Sequence, residues 1–103
     1  MQIRPADTEI LHTQNQLVQR GSDLMSRREF QDAIDHFSHA IKISPRFAEA
    51  FNQRAIAHFL KEDFERSIED CQRAVEIMPD HFGAWAGMGH CHAHEGRVCD
   101  AVR

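Results

Sequence analysis

The feature that most constrains this chain is an internal repeat with a period of 34 residues, marked by two prolines. Pro45 and Pro79 are separated by this interval, and the same interval relates Phe30 to Phe64 and Phe64 to Val98. Repeats of this length stack as pairs of helices, because a single pair cannot bury its apolar face alone. The sequence therefore predicts an all-α array whose core is a thin slab shared between neighbouring repeats.

Apolar residues spaced three and four apart define the individual helices. The predicted helices span residues 6–26, 30–43, 48–60, 64–78 and 82–94. The second and fourth helices should end before Pro45 and Pro79, since a residue that precedes proline avoids the helical region. Turns are predicted at 27–29, 61–63 and 95–97, where Gly96 suits a left-handed helix cap. Residues 98–103 are expected to begin a further helix.

Small and large side chains recur at positions where paired helices should cross. Small residues would let the backbones approach closely, and they fall at Gly21, Ala55 and Gly89. Large apolar residues beside them would fill the space between helices, and they fall at Leu17, Phe51 and Trp85.

This pattern resembles the tetratricopeptide repeat from Gln14 onward. The matching positions are Leu17, Gly21, Leu24, Ala33, Phe37, Ala40 and Pro45, then Phe51, Ala55, His58, Ser67, Cys71, Ala74 and Pro79, then Trp85, Gly89, His92 and Ala101. The chain departs from the family at His58 and His92, where tyrosine is usual, and at Arg20 and Arg54, where leucine is usual. The resemblance implies a right-handed α-α superhelix of about two and a half helical hairpins. Its segments would be an N-terminal lead-in with the start of the first helix over 1–13, repeats over 14–47 and 48–81, and a third repeat over 82–103 truncated in its second helix.

The resemblance also implies that the first helix of each repeat lines a concave groove that holds a peptide or helix of a partner protein. The implied groove positions are Asn15, Val18, Ser22, Met25 and Ser26, then Glu49, Asn52, Ile56, Phe59 and Leu60, then Gly83, Ala86, His90, Ala93 and His94. Several of these are apolar, as expected of a binding surface. The family variant that grips a C-terminal carboxylate with lysine, asparagine and arginine is not expected, because Val18, Ser22, Gln53, Gly83 and Gly87 occupy its positions.

Composition excludes several other functions. The formal net charge is −4 with a pI near 6.0, and no Lys/Arg run is longer than two residues, so neither nucleic acid nor a membrane is an expected partner. The three cysteines form an odd set without a disulfide-framework spacing, and no apolar signal core follows Met1. Both features predict a reducing, cytoplasmic location.

Two local features leave alternatives open. Phe59 and Leu60 either anchor a ligand or pack as ordinary core between neighbouring helices. His90 and His94 are four residues apart, a spacing that suits one metal ion, but neither a carboxylate in register nor a CxxC accompanies them. We therefore expect solvated histidines, no metal and no cofactor. No triad-like set of residues converges, so we expect no enzyme.

The sequence thus predicts a non-catalytic scaffold that binds a partner peptide or, preferably, an amphipathic helix in its groove. The alternative is a homo-oligomer that assembles through the groove and an open C-terminal end, where Trp85, Met88 and Val98 would lack a covering helix. A metal-responsive module at His90 and His94 is a third possibility. We also expect the chain to be a piece of a longer repeat array.

Overall fold

A computed structural model describes the backbone of residues 5–102 and the side chains of residues 9–94. Five α-helices follow one another along the chain: α1 (Pro5–Ser26), α2 (Phe30–Ile43), α3 (Ala48–Leu60), α4 (Phe64–Ile77) and α5 (Phe82–Val102). The described backbone contains no β-strand. Helices α1 and α2 pack as one hairpin and α3 and α4 as the next, and α5 packs on α4 and α3. The all-α fold predicted from the repeat is confirmed.

The turns inside the two hairpins share one geometry. In the first, the Arg28 amide donates to the Met25 carbonyl (3.0 Å) and the Glu29 amide donates to the Leu24 carbonyl (2.9 Å). Arg28 itself adopts the left-handed region with φ 63°. The second hairpin repeats both bonds around Glu62, whose φ is 65°. These paired bonds satisfy carbonyls at the end of the first helix and reverse the chain, so the predicted turns are confirmed.

The segments before the two prolines stop the second helix of each hairpin as expected. Helix α2 ends at Ile43 and α4 ends at Ile77. The next residue in each case, Ser44 and Met78, still donates its amide to the carbonyl four residues earlier, at 2.9 and 2.8 Å. Proline then prevents continuation, because it restricts the residue before it and has no amide hydrogen.

The core lies between the helices in two connected clusters. One cluster joins the two hairpins through Leu17, Ala40 and Ala50. The other lies between α3, α4 and α5 and contains Ala48, Phe51, Ala55, Cys71, Ala74, Ala84 and Met88. Gly21 and Ala55 allow the close approach predicted for them, whereas the crossing predicted at Gly89 is wrong, because nothing lies within 4 Å of a Cβ placed there. A Cβ atom on Gly21 would lie 2.4 Å from Cε1 of the fully buried Phe37, so α1 and α2 are in contact at this glycine.

The third repeat differs from the expectation. The turn predicted at 95–97 is wrong, because α5 continues as one helix from Phe82 to Val102. In the first two hairpins the second helix packs along the first and holds the turn, whereas the structure describes no helix after α5. Extending a helix adds one hydrogen bond per residue, while starting a new short helix carries the unfavourable nucleation step. Arg103 lies outside the described residues.

The prediction that Trp85 fills the core is also wrong. Its side chain is 52% exposed, whereas Phe51, one period earlier, is 5% exposed in the cluster that α4 covers. No described helix covers the corresponding face of α5. The Trp85 indole Nε1 instead donates to the Pro79 carbonyl at 2.8 Å. Met88 is buried as a neighbour of α4, and Val98 lies outside the described side chains.

Candidate protein-binding groove

Helices α3 and α5 form the walls of a pocket of about 290 Å³, here called the α3–α5 groove. The residues that line it are Asn52, Ala55, Ile56, Phe59, Leu60, Ser67, Cys71, Gly87 and His90. Five of these positions were among the predicted groove residues: Asn52, Ile56, Phe59, Leu60 and His90. Helical spacing explains their convergence, since residues three and four apart share one face of α3. Ile56 and Leu60 are 40% and 48% exposed, which leaves their apolar side chains available to a partner.

The floor of the groove carries two uncharged polar groups, the Ser67 hydroxyl and the Cys71 thiol. The Ser67 hydroxyl donates to the Ala55 carbonyl at 2.7 Å, which couples α4 to α3. Burial raises the pKa of the Cys71 thiol to about 11, with the Cys91 thiol contributing in the same direction, so Cys71 stays protonated at neutral pH. The Cys71 Sγ atom lies 3.0 Å from the position that a Cβ on Gly87 would take. A Cβ at Gly87 would therefore require the Cys71 Sγ atom to shift by a few tenths of an ångström.

One end of the groove is aromatic. Phe59 contacts Phe64 edge-on, with ring centroids 5.4 Å apart. His94 lies over the same pair, 4.8 Å from Phe64 in a stacked arrangement and 5.4 Å from Phe59. The His90 ring is more distant, 6.4 Å from Phe59. Phe59 thus packs on α4 and also lines the pocket. The sequence left open whether it anchors a ligand or packs as core, and its position is compatible with both.

The other end is polar and joins α3 to α5. The Ala84 amide donates to Nδ1 of His81 at 3.1 Å, so this histidine caps the start of α5. Because Nδ1 accepts that bond in the neutral ring, the proton lies on Nε2, which is 3.1 Å from the Glu49 carboxylate. Glu49 also accepts from the Gln53 amide at 2.9 Å. The carboxylate of Glu49, another predicted groove residue, is therefore already bonded to side chains of the fold. The sequence did not predict that His81 caps α5.

The remaining predicted positions lie outside the pocket lining. Val18 is half-buried and packs against the cluster around Leu17, and Ser22 and Met25 are also half-buried on α1. Ala86 is exposed on α5 without lining the pocket. The structure thus concentrates the apolar surface between the second and third repeats rather than spreading it along all three.

A polar network fixes α3 from the side opposite Ile56. Arg54 donates two hydrogen bonds to the Asp70 carboxylate, each of 2.7 Å, and a third to the Ser38 hydroxyl at 3.0 Å. This network links α2, α3 and α4 and holds the groove face of α3 in position. His58 lies 3.6 Å from the same carboxylate. Sequence reasoning noted Arg54 and His58 as departures from the family but missed that they meet at Asp70; their spacing of four was the available signal.

Burial lowers the pKa of His58 below its ordinary value of 6.5, and the nearby Asp70 carboxylate opposes this shift without overcoming it. The ring is therefore neutral at pH 7. At low pH the His58 ring has to take up a proton while it is buried in the hairpin. The positive charge of the nearby Arg54 guanidinium also disfavours the protonated ring.

The described residues contain no group of three or more His, Cys, Asp or Glu side chains arranged to hold a metal ion. The His94 ring is stacked on Phe64 instead. Within the described part of the chain, no helix combines the length and apolar character needed to cross a membrane.

Comparison with known proteins identifies the repeat. The family model described as "Tetratricopeptide repeat" matches residues 48–81. A TPR repeat-containing protein of Rhizobium etli is 31% identical over 84 residues, which is 82% of this chain and 41% of the relative. Small glutamine-rich tetratricopeptide repeat-containing protein 2 of Saccharomyces cerevisiae is 25% identical over 96 residues, or 93% of this chain and 28% of the relative. The chain thus spans less than half of the length of either relative.

Solved structures agree on the fold. The Sgt2 TPR domain from Aspergillus fumigatus superposes with a TM-score of 0.78 at 26% identity, covering 82% of this chain and 56% of that domain. The TPR2B domain of yeast Sti1, solved in complex with pHsp70, gives a TM-score of 0.81 at 20% identity, covering 87% of this chain and 72% of that one. The second likeness shows the fold alone.

Proposed function

Because the chain belongs to the tetratricopeptide-repeat family, we propose that it is a non-catalytic interaction module that binds a peptide segment of another protein in the α3–α5 groove. The observation that carries this proposal is the groove itself, where exposed Ile56 and Leu60 stand over a neutral pocket of about 290 Å³. An apolar concavity of this kind is a binding surface by default. Free thiols at Cys71 and Cys91 suit the reducing cytoplasm as the place of action.

The chemistry of the groove favours an apolar partner segment. Its described lining contains no Lys, Arg, Asp or Glu. A similar fold is seen in the TPR2B domain complex with pHsp70, and relatives include an Aspergillus fumigatus protein named as a heat-shock protein cognate co-chaperone. Binding of a partner is thus a use of this architecture, while the described lining of the groove here has no Lys or Arg that would pair with a terminal carboxylate. We propose recognition of internal apolar side chains instead.

A selection experiment tests this proposal. Twelve-residue peptides would be selected from a random display library on the intact chain, synthesised with both termini blocked, and titrated by fluorescence anisotropy. Leu60→Glu should abolish binding, because it places a charge at the apolar wall. Met78→Glu is the matched control, since Met78 is 47% exposed, close to the 48% of Leu60, but lies outside the groove. Failure to select any peptide, or equal loss in both variants, would refute the proposal.

Self-association is a second candidate because of the exposed start of α5. Phe82 is 81% exposed and Trp85 is 52% exposed on the end of the array that no described helix covers. We propose that a second copy covers this face at high concentration. Light scattering coupled to size exclusion should then show a mass that rises with concentration in the unaltered chain and stays monomeric in Phe82→Glu. A monomer mass for the unaltered chain throughout would eliminate the dimer.

A further inference from the structure

The first hairpin carries a pocket that corresponds, one period earlier, to the polar network behind the groove. This pocket lies between α1 and α2, is here called the α1–α2 pocket, and has a volume of about 270 Å³. The residues that line it are Arg20, Asp23, Leu24, Arg27 and His36. A pocket of similar volume at the second hairpin is lined in part by Arg54, His58 and Asp70. These three positions follow Arg20, Leu24 and His36 by the 34-residue period, so the two pockets are equivalent places in successive repeats.

The equivalent places differ in the partner of the arginine. In the second hairpin, Arg54 binds the Asp70 carboxylate through two hydrogen bonds of 2.7 Å. In the first hairpin, the position of that carboxylate is occupied by His36. The Arg20 guanidinium consequently forms no hydrogen bond or ion pair with another described residue. The first hairpin thus contains the arginine of the network without its anion.

Two further groups of the α1–α2 pocket are able to bind an anion. The guanidinium of Arg27 lines the pocket and is also unpaired within the described part of the chain. Nδ1 of His36 lies 2.9 Å from the Asp32 carbonyl, which can only accept, so Nδ1 carries a hydrogen. Nε2 of His36 has no partner among the described residues and becomes a donor when the ring is protonated. Donors therefore reach the pocket from α1, from the turn after it and from α2.

Charge and spacing indicate which anion fits. Asp23 is the one acidic residue in the described lining, and its carboxylate accepts from the Gln19 amide at 3.3 Å without pairing with either arginine. Its negative charge repels a dianion such as phosphate more strongly than a single carboxylate. Arg20 and Arg27 are seven residues apart, which corresponds to about 10 Å along a helix. Two carboxylates on one chain span this separation better than one small ion does.

From these observations we infer that the α1–α2 pocket binds an acidic segment of a partner protein, with one Asp or Glu carboxylate held by Arg20 as Asp70 is held by Arg54. A second carboxylate of the same segment pairs with Arg27. Arginine recognises a carboxylate through two parallel hydrogen bonds, which gives the contact its specificity. No lining residue of this pocket lines the α3–α5 groove, so the acidic segment has a binding surface of its own and does not depend on the proposed function.

Fluorescence anisotropy at low ionic strength, with a labelled hexaglutamate peptide blocked at both termini, tests this inference on the intact chain. Arg20→Gln should weaken binding about tenfold, because it removes a charge-assisted pair. Arg46→Gln is the matched control, since Arg46 is exposed, lies outside the pocket and loses the same charge. We expect Arg46→Gln to weaken binding by less than about twofold.

A second pair of variants supplies the missing anion within the chain itself. His36→Asp places a carboxylate at the position equivalent to Asp70, and it should abolish peptide binding because that carboxylate occupies Arg20. His39→Asp is its control, since His39 is exposed on the same helix outside the pocket and the change in charge is identical. We expect His39→Asp to retain most of the binding.

Equal losses in the two arginine variants, or in the two histidine variants, would overturn the inference, because they would show attraction to net charge alone. Equal binding of a blocked hexaglutamine peptide would overturn it as well. Inorganic phosphate that binds more tightly than hexaglutamate would contradict the assignment to an acidic protein segment. The apolar peptides selected on the α3–α5 groove should bind all four variants like the unaltered chain, so failure at the α1–α2 pocket leaves the proposed function intact.

Discussion

Gly21 and Gly89 occupy equivalent places in two repeats, yet the structure predicts opposite effects for the same substitution. A Cβ on Gly21 would lie 2.4, 2.7 and 2.8 Å from three ring atoms of Phe37, all shorter than the 3.0 Å that real Cβ contacts respect. Phe37 is fully buried and cannot swing outward. At Gly89 nothing lies within 4 Å, because no described helix crosses α5 there.

The magnitudes follow from two opposing effects. Replacing glycine by alanine inside a helix stabilises it by about 1 kcal/mol at either site. At Gly21 the overlap with Phe37 opposes this gain, since overpacking costs about 1–3 kcal/mol and occasionally more. Because the new Cβ would overlap three atoms of an immobile ring, the overpacking cost of Gly21→Ala should lie at or beyond the upper end of this range. We expect a net destabilisation of about 2 kcal/mol for Gly21→Ala and a stabilisation of about 0.5–1 kcal/mol for Gly89→Ala.

Thermal unfolding followed by circular dichroism measures both. A change of 1 kcal/mol shifts the Tm of a domain of this size by about 4–8 °C. Gly21→Ala should therefore lower the Tm by about 10 °C, and Gly89→Ala should raise it by about 4 °C. Equal shifts of the same sign in the two variants would refute the reasoning, because they would mean that helix propensity alone governs both sites and that α1 and α2 do not meet at Gly21.

Three further predictions concern the hairpin turns and the network behind the groove. Asp70→Ala should lower the free energy of unfolding in urea by about 3–5 kcal/mol, since it leaves the partly buried Arg54 without its carboxylate. Glu76→Ala is the control, because it breaks only an exposed pair with Arg73 and should change stability by less than about 1 kcal/mol. Similar losses in the two variants would contradict the assigned role of burial. Because the folded-state pKa of His58 is lowered, the unfolded chain binds its proton more tightly, so the free energy of unfolding should fall as pH drops below 6.5 and level off below the folded pKa. His58→Gln should remove that part of the pH dependence relative to His39→Gln, an exposed control, and identical profiles would argue against a buried neutral ring. Glu62→Gly should raise stability by about 1 kcal/mol, because glycine adopts the left-handed φ of 65° without the steric cost that glutamate has there. Glu65→Gly inside α4 should lower stability by a similar amount. A loss of stability in Glu62→Gly would show that the turn does not need φ 65°.

The sequence predicted the fold well wherever local chemistry and the repeat agree. The prolines, the apolar stripes and the small crossing residue Gly21 act through short-range sterics and periodicity, which are visible without coordinates. The same reasoning failed at Gly96. Its counterpart one period earlier, Glu62, is left-handed because α4 packs back on α3 and holds the turn. Whether the chain turns thus depends on tertiary contacts with the following helix and not on the glycine.

The candidate site was predictable only in outline. Helical spacing places Asn52, Ile56 and Phe59 on one face of α3, but it does not show which polar groups find partners. The Glu49 carboxylate pairs with His81, 32 residues further along the chain, while the Asn52 amide has no hydrogen bond to another described residue. Such pairings depend on distances between helices, which periodicity does not supply. Val18 and Met25 do not line the pocket, and their part in binding a partner stays a prediction from the family pattern.

The measurement that tests the central claim most directly is an NMR titration of the isotope-labelled chain with one selected peptide, including intermolecular contacts from the peptide's methyl groups. The account predicts that contacts and the largest shift changes concentrate at the α3–α5 groove, on Asn52, Ile56, Leu60, Gly87 and His90. Contacts concentrated at Phe82 and Trp85, or on the Arg54 side of α3, would contradict it and move the binding surface to the end or the back of the array.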